Sequence, residues 1–176
     1  MTWRGFHMRE SEIASELQRN LKTGSIKTLK KLLKQLGKLE SESLIDPLTK
    51  LLNHSNSDIR VLAVYNLGKF SSHHDLLPQF QRLIKNDSSS EVRREAVSSI
   101  GRQRNEDNIP YLQGLLEDND PVVVTQAIRG LLVFKKQKTV AKALLAQENH
   151  VNEIVRRVIE IEMKKKFYQL ENQNRL

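Results

Sequence analysis

Two stretches of the chain determine its fold: Asp58-Ile59-Arg60-x-x-Ala63-x-x-x-Leu67-Gly68 and Glu91-Val92-Arg93-x-x-Ala96-x-x-x-Ile100-Gly101. They carry the same residue types at the same spacing. Looser copies surround three further positions, and steps of 31, 33, 31 and 32 residues separate the five anchors Leu32, Ala63, Ala96, Ala127 and Ile159. An independent landmark repeats at 31 and 32 residues, namely Pro47, Pro78 and Pro110. A period of this length is typical of stacked helical repeats.

Each period has the pattern of two helices. Apolar residues share one face at helical spacing, as in Ile59, Ala63, Leu67 and Phe70. A capping residue followed by an acid or a proline precedes the second helix of a unit, at Ser57-Asp58, Ser90-Glu91 and Asp120-Pro121. The first helix begins near the recurring proline, which the first helical turn tolerates. A two-helix unit must stack on its neighbours to bury its apolar face. We therefore predict an all-α fold, a right-handed α-solenoid of about five antiparallel helix pairs.

The repeated pattern resembles the HEAT-like repeat family, particularly the short variety named after the phycobilisome lyases. The resemblance covers roughly residues 10 to 167. It implies stacked helix pairs that serve as a binding scaffold, but no particular activity, because this fold carries many unrelated functions. The first and fourth copies depart from the pattern with Leu29 and Val124 in place of Arg60. The fifth copy has Lys164 in place of the glycine.

Length and composition exclude several classes of protein. The 176 residues fit one domain, and the absence of cysteine excludes disulfide scaffolds, thiol nucleophiles and thiolate metal sites. No apolar run exceeds five residues, so no segment is expected to span a bilayer. Without a stretch fit for export, the expected location is cytoplasmic. We predict a flexible lead over 1–9, a single repeat domain over 10–170 and a tail over 171–176.

The net charge of +8 is concentrated in rows of equivalent repeat positions. Positions two before, two after and six after each anchor turn away from the core and should line the concave side. Nine of these fifteen positions are basic and none is acidic. They form the predicted polyanion-binding set Lys30, Lys34, Lys38, Lys69, Arg94, Arg102, Arg129, Arg157 and Lys165. Cations that neutralise phosphates gain affinity by counterion release. Solubility of an exposed helix face, or the helix dipole at its C-terminus, explains the same lysines without a ligand.

Apolar residues on the outward arc suggest a second kind of surface. In the second repeat and the last helix these are Val61, Leu62, Tyr65, Ile154, Val158, Ile161 and Tyr168. Core-facing residues of the last helix form a separate stripe of Val155, Ile159, Met163 and Phe167. An exposed apolar stripe often marks a protein partner. Cover by the C-terminal tail, or an angle wrong by one residue, explains the stripe equally well.

Residues able to perform catalysis do not form a recognisable constellation. The histidines His7, His54, His73, His74 and His150 occupy predicted helix ends, loops or the N-terminal lead. The adjacent pair lacks a third ligand at metal-binding spacing. Deoxyhypusine hydroxylase, an enzyme of the same repeat class, uses His-Glu pairs, and the sequence contains no such dipeptide. Asp118-Asn119-Asp120 lacks the glycine and glutamate of a calcium loop and is interpreted as an inter-helix turn. We expect no catalytic residue, metal or cofactor.

Two sets of recurring residues have a structural interpretation. The glycines Gly37, Gly68 and Gly101 recur at helix-packing positions, not in a phosphate-cradling loop. The arginines Arg60, Arg93 and Arg156 lie near the core and could pair with loop acids of a neighbouring unit.

The predicted function is that of a non-catalytic binding scaffold. Its basic concave face is expected to dock an acidic macromolecule, with nucleic acid favoured over an acidic protein, and no membrane or small-molecule substrate. The alternatives are a protein–protein adaptor that uses the outward apolar residues, or an accessory subunit of a phycobilin lyase or of a DNA-modifying system.

Overall fold

The computed structural model describes residues 4–36, 41–70 and 76–162, with side chains described from residue 12 onwards except at 22 and 23. The helices are α1 (Arg4–Thr23), α2 (Ile26–Gln35), α3 (Ile45–Leu51), α4 (Ser57–Leu67), α5 (Leu77–Asn86), α6 (Ser90–Arg102), α7 (Ile109–Gly114), α8 (Pro121–Leu131) and α9 (Lys138–Leu145). A further helix, α10, begins at 153 and continues to 162, where the description ends. Over these ranges the chain has no strand, and the predicted all-α repeat fold is confirmed.

The chain divides into two compact units, Met1–Gln103 with α1 to α6 and Arg104–Leu176 with α7 to α10. The sequence predicts a single domain over 10–170, so the division differs from that expectation. At the boundary Arg104 has a φ of 51°, in the left-handed region, which ends the helical path after α6. The helix α1 begins at Arg4, inside the predicted flexible lead. Helical backbone thus extends over residues 4–9 of that predicted lead, where no proline interrupts the helix-forming run up to Thr23.

The second helices begin one residue earlier than the capping prediction places them, except in α8. The caps of α4 and α6 are Asn56 and Ser89, which have extended backbone, while Ser57 and Ser90 are already helical. Asn56 accepts the backbone N–H of Ile59 through Oδ1 at 3.2 Å. The predicted cap Asp120 is confirmed, since its Oδ1 accepts the N–H of Val122 at 2.9 Å. Asparagine has a side-chain acceptor as serine does, so the cap chemistry is retained in α4, whereas Ser89 makes no side-chain cap hydrogen bond in α6.

A side-chain acceptor closes the turn between the two helices in four repeats. In each of these turns a side chain accepts the backbone N–H of the residue two positions later, at 2.8–3.0 Å. The pairs of acceptor and donor are His54 and Asn56, Asp87 and Ser89, Asp118 and Asp120, and His150 and Asn152. Imidazole Nδ1 and carboxylate oxygen are both acceptors, so either residue type can hold this turn. The interpretation of 118–120 as an inter-helix turn is confirmed.

The recurring arginines bind the same turns from the second helix. Arg60 donates from Nη1 to the carbonyls of His54 and Ser55 at 2.8 and 3.1 Å. Arg156 makes the equivalent bonds to the carbonyls of His150 and Val151 at 2.6 and 2.9 Å. In the third repeat Arg93 donates to the carbonyl of Asp87 at 2.9 Å. The arginines therefore satisfy turn carbonyls, in agreement with their structural interpretation.

Arg60 also connects the second repeat to the third. Its Nε and Nη2 donate to the two carboxylate oxygens of Asp87 at 2.8 and 2.7 Å, and the side chains are only 12% and 5% exposed. Burial alone raises the pKa of Asp87, but the hydrogen bonds from Arg60 and from the N–H of Ser89, with the charges of Arg60 and Arg93, hold it below its usual value. This bidentate pair is the expected contact with a loop acid of a neighbouring unit.

Consecutive second helices of the first unit are also joined by buried polar contacts. Asn66 donates from Nδ2 to the carbonyl of Leu33 at 3.1 Å, and Ser99 donates from Oγ to the carbonyl of Val64 at 3.2 Å. In both cases the residue three after an anchor reaches the residue one after the preceding anchor. The same repeat contact is therefore made twice, from α4 to α2 and from α6 to α4.

Gly68 allows α4 and α6 to approach this closely. A Cβ built on Gly68 would lie against the hydroxyl of Ser99 and 2.6 Å from its Cβ. Such a distance is far inside van der Waals contact, so a side chain at 68 would push the two helices apart. The predicted packing role of this glycine is confirmed, while Gly37 lies outside the described residues.

We expect Gly68→Ala to destabilise the protein by about 1–3 kcal/mol, because overpacking at a helix contact forces backbone shifts. The measurement is the free energy of unfolding from urea titration followed by circular dichroism. Gly114→Ala is the matched control, since nothing lies within 4 Å of a Cβ at that helical glycine. The control should be neutral or stabilising by up to about 1 kcal/mol. Equal effects of both substitutions would contradict the packing argument.

We expect Asp87→Asn to destabilise the protein by about 3–5 kcal/mol at pH 7, because it leaves the Arg60 guanidinium buried without its counter-charge. The folded-state pKa of Asp87 lies below the unfolded value of about 3.9. The ionised carboxylate therefore makes its full contribution to the free energy of unfolding above that value. This contribution is lost as the pH falls through the folded pKa. Urea titrations of wild type and Asp87→Asn at pH 7 and at about pH 3 measure the difference in their free energy of unfolding, which should be smaller at the lower pH.

The exposed ion pair of Lys50 and Asp46, one helical turn apart at 2.7 Å, provides the matched control. Asp46→Asn should change the free energy of unfolding by no more than about 1 kcal/mol, since water screens exposed pairs. A loss at Asp87 as small as the loss at Asp46 would show that the buried pair does not join the repeats energetically.

Candidate functional site

The helix α2 carries a face of lysines opposite its buried side. Leu29, Leu32 and Leu33 are buried, and the cap Ser25 accepts the N–H of Thr28 at 3.1 Å. The lysines Lys27, Lys30, Lys31 and Lys34, here called the α2 lysine face, line an open depression of about 660 Å³ together with Ile26. No acidic residue occurs in Ile26–Gln35. Helical periodicity places these lysines on the side away from the leucines.

Within the described part of the chain, Lys27, Lys31 and Lys34 make no ion pair, and all three are exposed. Lys30 differs, because its Nζ pairs with Asp58 at the start of α4. Three of the four cations on the α2 lysine face are therefore open to solvent and to a ligand, and the fourth ties α2 to the next repeat.

An exposed aromatic ring with two cations lies where α4 meets α6. Tyr65 is 46% exposed, with Lys69 Nζ at 4.6 Å and Arg102 Cζ at 5.1 Å from its ring centroid. Such distances are those of cation–π contacts. We call Tyr65, Lys69 and Arg102 the Tyr65 cluster. It brings together two residues predicted to bind a polyanion and one predicted to bind a protein partner.

Polar neighbours hold the two cations of the Tyr65 cluster in place. Lys69 donates to Oδ1 of Asn66 at 2.7 Å. Arg102 donates from Nη2 to Oε1 of Glu95 at 2.7 Å and to Oγ of Ser99 at 2.8 Å. The carboxylate of Glu95 offsets part of the positive charge of the cluster. Glu95 does not belong to the three rows of repeat positions.

Arg94 is exposed on α6 and acts on a neighbouring acid. The pKa of Glu91 lies below its usual value because its own backbone N–H, the hydroxyls of Ser89 and Ser90 and, last, the charge of Arg94 stabilise its carboxylate. Arg94 therefore adds a cation to the outer side of α6, one turn from an acid at the start of the same helix.

The remaining predicted polyanion-binding residues are divided between the second unit and the undescribed parts. Arg129 is exposed at the end of α8. Arg157 is exposed on α10 and donates to Glu153 at 3.3 Å. Lys38 and Lys165 lie outside the described residues, and so does Tyr168 of the predicted partner-binding set. A single cationic track along all repeats stays a prediction.

The predicted partner-binding residues fall into two groups. On α4, Val61 and Leu62 are half-buried, whereas Tyr65 is exposed. On α10, Ile154 and Ile161 are 62% and 47% exposed and Val158 is half-buried. The core-facing residues of the same helix, Val155 and Ile159, are buried, while Met163 and Phe167 lie outside the described residues. The described part of α10 thus has one buried apolar face and a second apolar face that is exposed.

The predicted polyanion-binding set lacks two lysines of the α2 lysine face. It also takes no account of the two acids that pair with predicted cations. Lys27 and Lys31 fall outside the three repeat rows, although the run without acid from Ile26 to Gln35 already indicates them. Asp58 and Glu95 were missed because each lies on a helix other than that of its cation, or two turns away from it. The packing of α2 against α4 is needed to show the first pair, whereas the spacing of seven residues along α6 already indicates the second.

The described residues contain no group of three His, Asp or Glu side chains that could hold a metal ion. His54 and His150 accept backbone N–H groups in their turns, as described above. His73 and His74 lie outside the described residues. No described helix combines the length and apolar character needed to cross a membrane.

Comparison with known families agrees with the repeat geometry. The sequence profile described as HEAT repeats matches residues 76–164, and that described as HEAT repeat matches 44–74. A search among curated proteins gave no match. The profiles are those of HEAT repeats in general, so the phycobilisome-lyase variety stays a prediction. Since the first profile alone spans half of the chain, the protein belongs to the HEAT repeat family.

Proposed function

We propose that this helical repeat scaffold binds a polyanion, with nucleic acid as the favoured ligand, on the face formed by the second helices of its first unit. The observation that carries the proposal is the α2 lysine face, where Lys27, Lys31 and Lys34 are exposed and make no ion pair with the described residues. HEAT repeats serve as scaffolds for macromolecular interaction, which fits a binding role for this surface.

The spacing of these lysines suits a ligand with regularly repeated charge. Lys27, Lys31 and Lys34 recur once per helical turn and extend over about 10 Å along α2. A nucleic acid strand carries one phosphate per nucleotide, so it can meet such a line of cations at many positions. Lysine presents a point charge that contacts phosphate without reading a base, which favours binding independent of sequence.

The same face continues from α2 to α4 and α6 through side-chain contacts. Lys30 on α2 pairs with Asp58 on α4, and Arg102 on α6 lies over the ring of Tyr65 on α4. Arg94 adds an exposed cation on α6. The carboxylates of Asp58 and Glu95 neutralise two of the cations, so we assign most of the affinity to α2 and a smaller share to the paired residues.

A protein–protein adaptor is the second candidate function, favoured by the exposure of Ile154 and Ile161 on α10. Large apolar side chains exposed on one helix face are common at sites of protein association. This surface belongs to the second unit and shares no residue with the α2 lysine face. The two functions are therefore separable by mutation.

We expect the wild-type protein to bind a fluorescein-labelled oligonucleotide with an affinity that falls steeply between about 50 and 200 mM salt. The triple variant Lys27→Glu, Lys31→Glu, Lys34→Glu should lower the affinity by at least about tenfold and flatten the salt dependence, because three phosphate contacts are lost. Fluorescence anisotropy measures both quantities. The effect should be nearly the same for every oligonucleotide sequence.

The control variant makes the same change of net charge on the first helices of the same unit, at Lys50, Arg82 and Lys85, all of which are exposed. Substituting these three by glutamate should reduce the affinity by less than about threefold, an effect of overall charge alone. An equal loss in the two variants would reject the α2 lysine face as the site. Wild-type protein that does not bind at low salt would reject the polyanion function itself.

A further inference from the structure

The Tyr65 cluster has a geometry that phosphate contacts alone do not explain. Tyr65 lies in the middle of α4 between two buried residues, Val64 and Asn66, yet its own side chain is 46% exposed. Apart from Lys69 and Arg102, no described residue makes a ring contact with it. Tyr65 is thus partly open to solvent, and its ring is contacted by the two cations alone among the described residues.

The two cations are fixed beside this ring before any ligand arrives. Lys69 is held by Asn66, which is itself anchored to the carbonyl of Leu33 at 3.1 Å. Arg102 is held by Glu95 and by Ser99, which is anchored to the carbonyl of Val64. Fixed donors lose little conformational entropy on binding. They therefore favour a ligand that carries a flat ring next to an anionic group.

From this juxtaposition we infer that one base of a single-stranded nucleic acid stacks on Tyr65, in the place that a cation holds over its ring in the free protein. Lys69 and Arg102 then contact the phosphates that flank this base. The inference rests on the proposed function and narrows its ligand from nucleic acid to unpaired strands. Bases of a single strand expose their faces for stacking on aromatic rings, and every base offers such a face. In a duplex those faces are stacked within the helix, so the ring gains nothing from a duplex.

The inference also gives each part of the surface a separate task. The α2 lysine face contributes affinity that depends on salt and serves single strands and duplexes alike. The ring of Tyr65 contributes stacking, which involves no counterion release and serves single strands only. The ratio of single-strand to duplex affinity therefore reports on Tyr65, whereas the salt dependence reports on the lysines.

The test compares wild type with Tyr65→Leu on one labelled oligonucleotide, presented as a single strand and as a duplex. We expect Tyr65→Leu to lower single-strand affinity by about 5- to 150-fold, the range observed for loss of one stacked base, and to change duplex affinity by less than about twofold. Tyr65→Phe, which keeps the ring, should restore most of the single-strand affinity. Circular dichroism and urea titration verify that each variant is folded.

A second measurement does not depend on affinity. An oligonucleotide that contains 2-aminopurine should lose fluorescence on binding to wild type and to Tyr65→Phe, because a stacked aromatic ring quenches the analogue. The quenching should be absent when Tyr65→Leu is saturated with the same oligonucleotide.

Equal single-strand affinity and equal quenching in wild type and Tyr65→Leu would overturn the stacking inference and leave the lysine-based function intact. A wild-type protein that prefers the duplex would overturn it as well. Failure of the proposed function looks different, because neither strand form would then bind at low salt, whatever residue stands at 65.

Discussion

The close contact between consecutive second helices is the constraint on which the rest of the first unit depends. Gly68 lets α4 and α6 approach until Ser99 can reach the carbonyl of Val64. That carbonyl already belongs to a helical ladder, so the bond fastens one repeat to the next without leaving a buried polar group unsatisfied. Asn66 makes the equivalent bond to the preceding helix. Stacking distance and register are thus set by small polar residues and a glycine, with the apolar core filling the remaining space.

The outward surface follows from this contact. When second helices are held at a fixed distance and register, side chains at equivalent positions come to lie next to one another. The side chain of Arg102 can extend over Tyr65 only because α6 lies directly against α4. The Asn66 and Ser99 side chains each make two kinds of contact. Each donates to a carbonyl of the preceding second helix, and each accepts a hydrogen bond from a cation of the Tyr65 cluster. Packing inside the unit and the geometry of the candidate site therefore share residues.

Most of the fold could be predicted from the sequence, because repetition multiplies weak local signals. The prolines, the glycine and the arginine recur at one period, and their structural roles can be inferred from any single copy. The caps Asn56 and Ser89 each lie one residue before the predicted serine, since adjacent polar residues of similar cap preference leave the position of a cap ambiguous in the sequence. The left-handed backbone of Arg104, the first residue of the second unit, could not be predicted, because arginine has no preference for that conformation.

The candidate site was only partly predictable for a different reason. Periodicity shows which side chains point outward, and it correctly separates the lysines of α2 from its buried leucines. Charge balance also depends on what lies across the gap between helices, as the pair of Lys30 on α2 with Asp58 on α4 shows. Those distances exist only after the repeats have packed.

The recurrence of the Asn66 and Ser99 contacts also bears on how such a chain can change its length. Both residues stand three after an anchor, and both meet the carbonyl one after the preceding anchor. Excision of the 33 residues from 63 to 95 would join Leu62 to Ala96 and bring Ser99 opposite the carbonyl of Leu33. Within the first unit a whole repeat can therefore be lost in a single genetic event while this contact keeps its partner, whereas a loss of another size would put Ser99 out of register with Leu33.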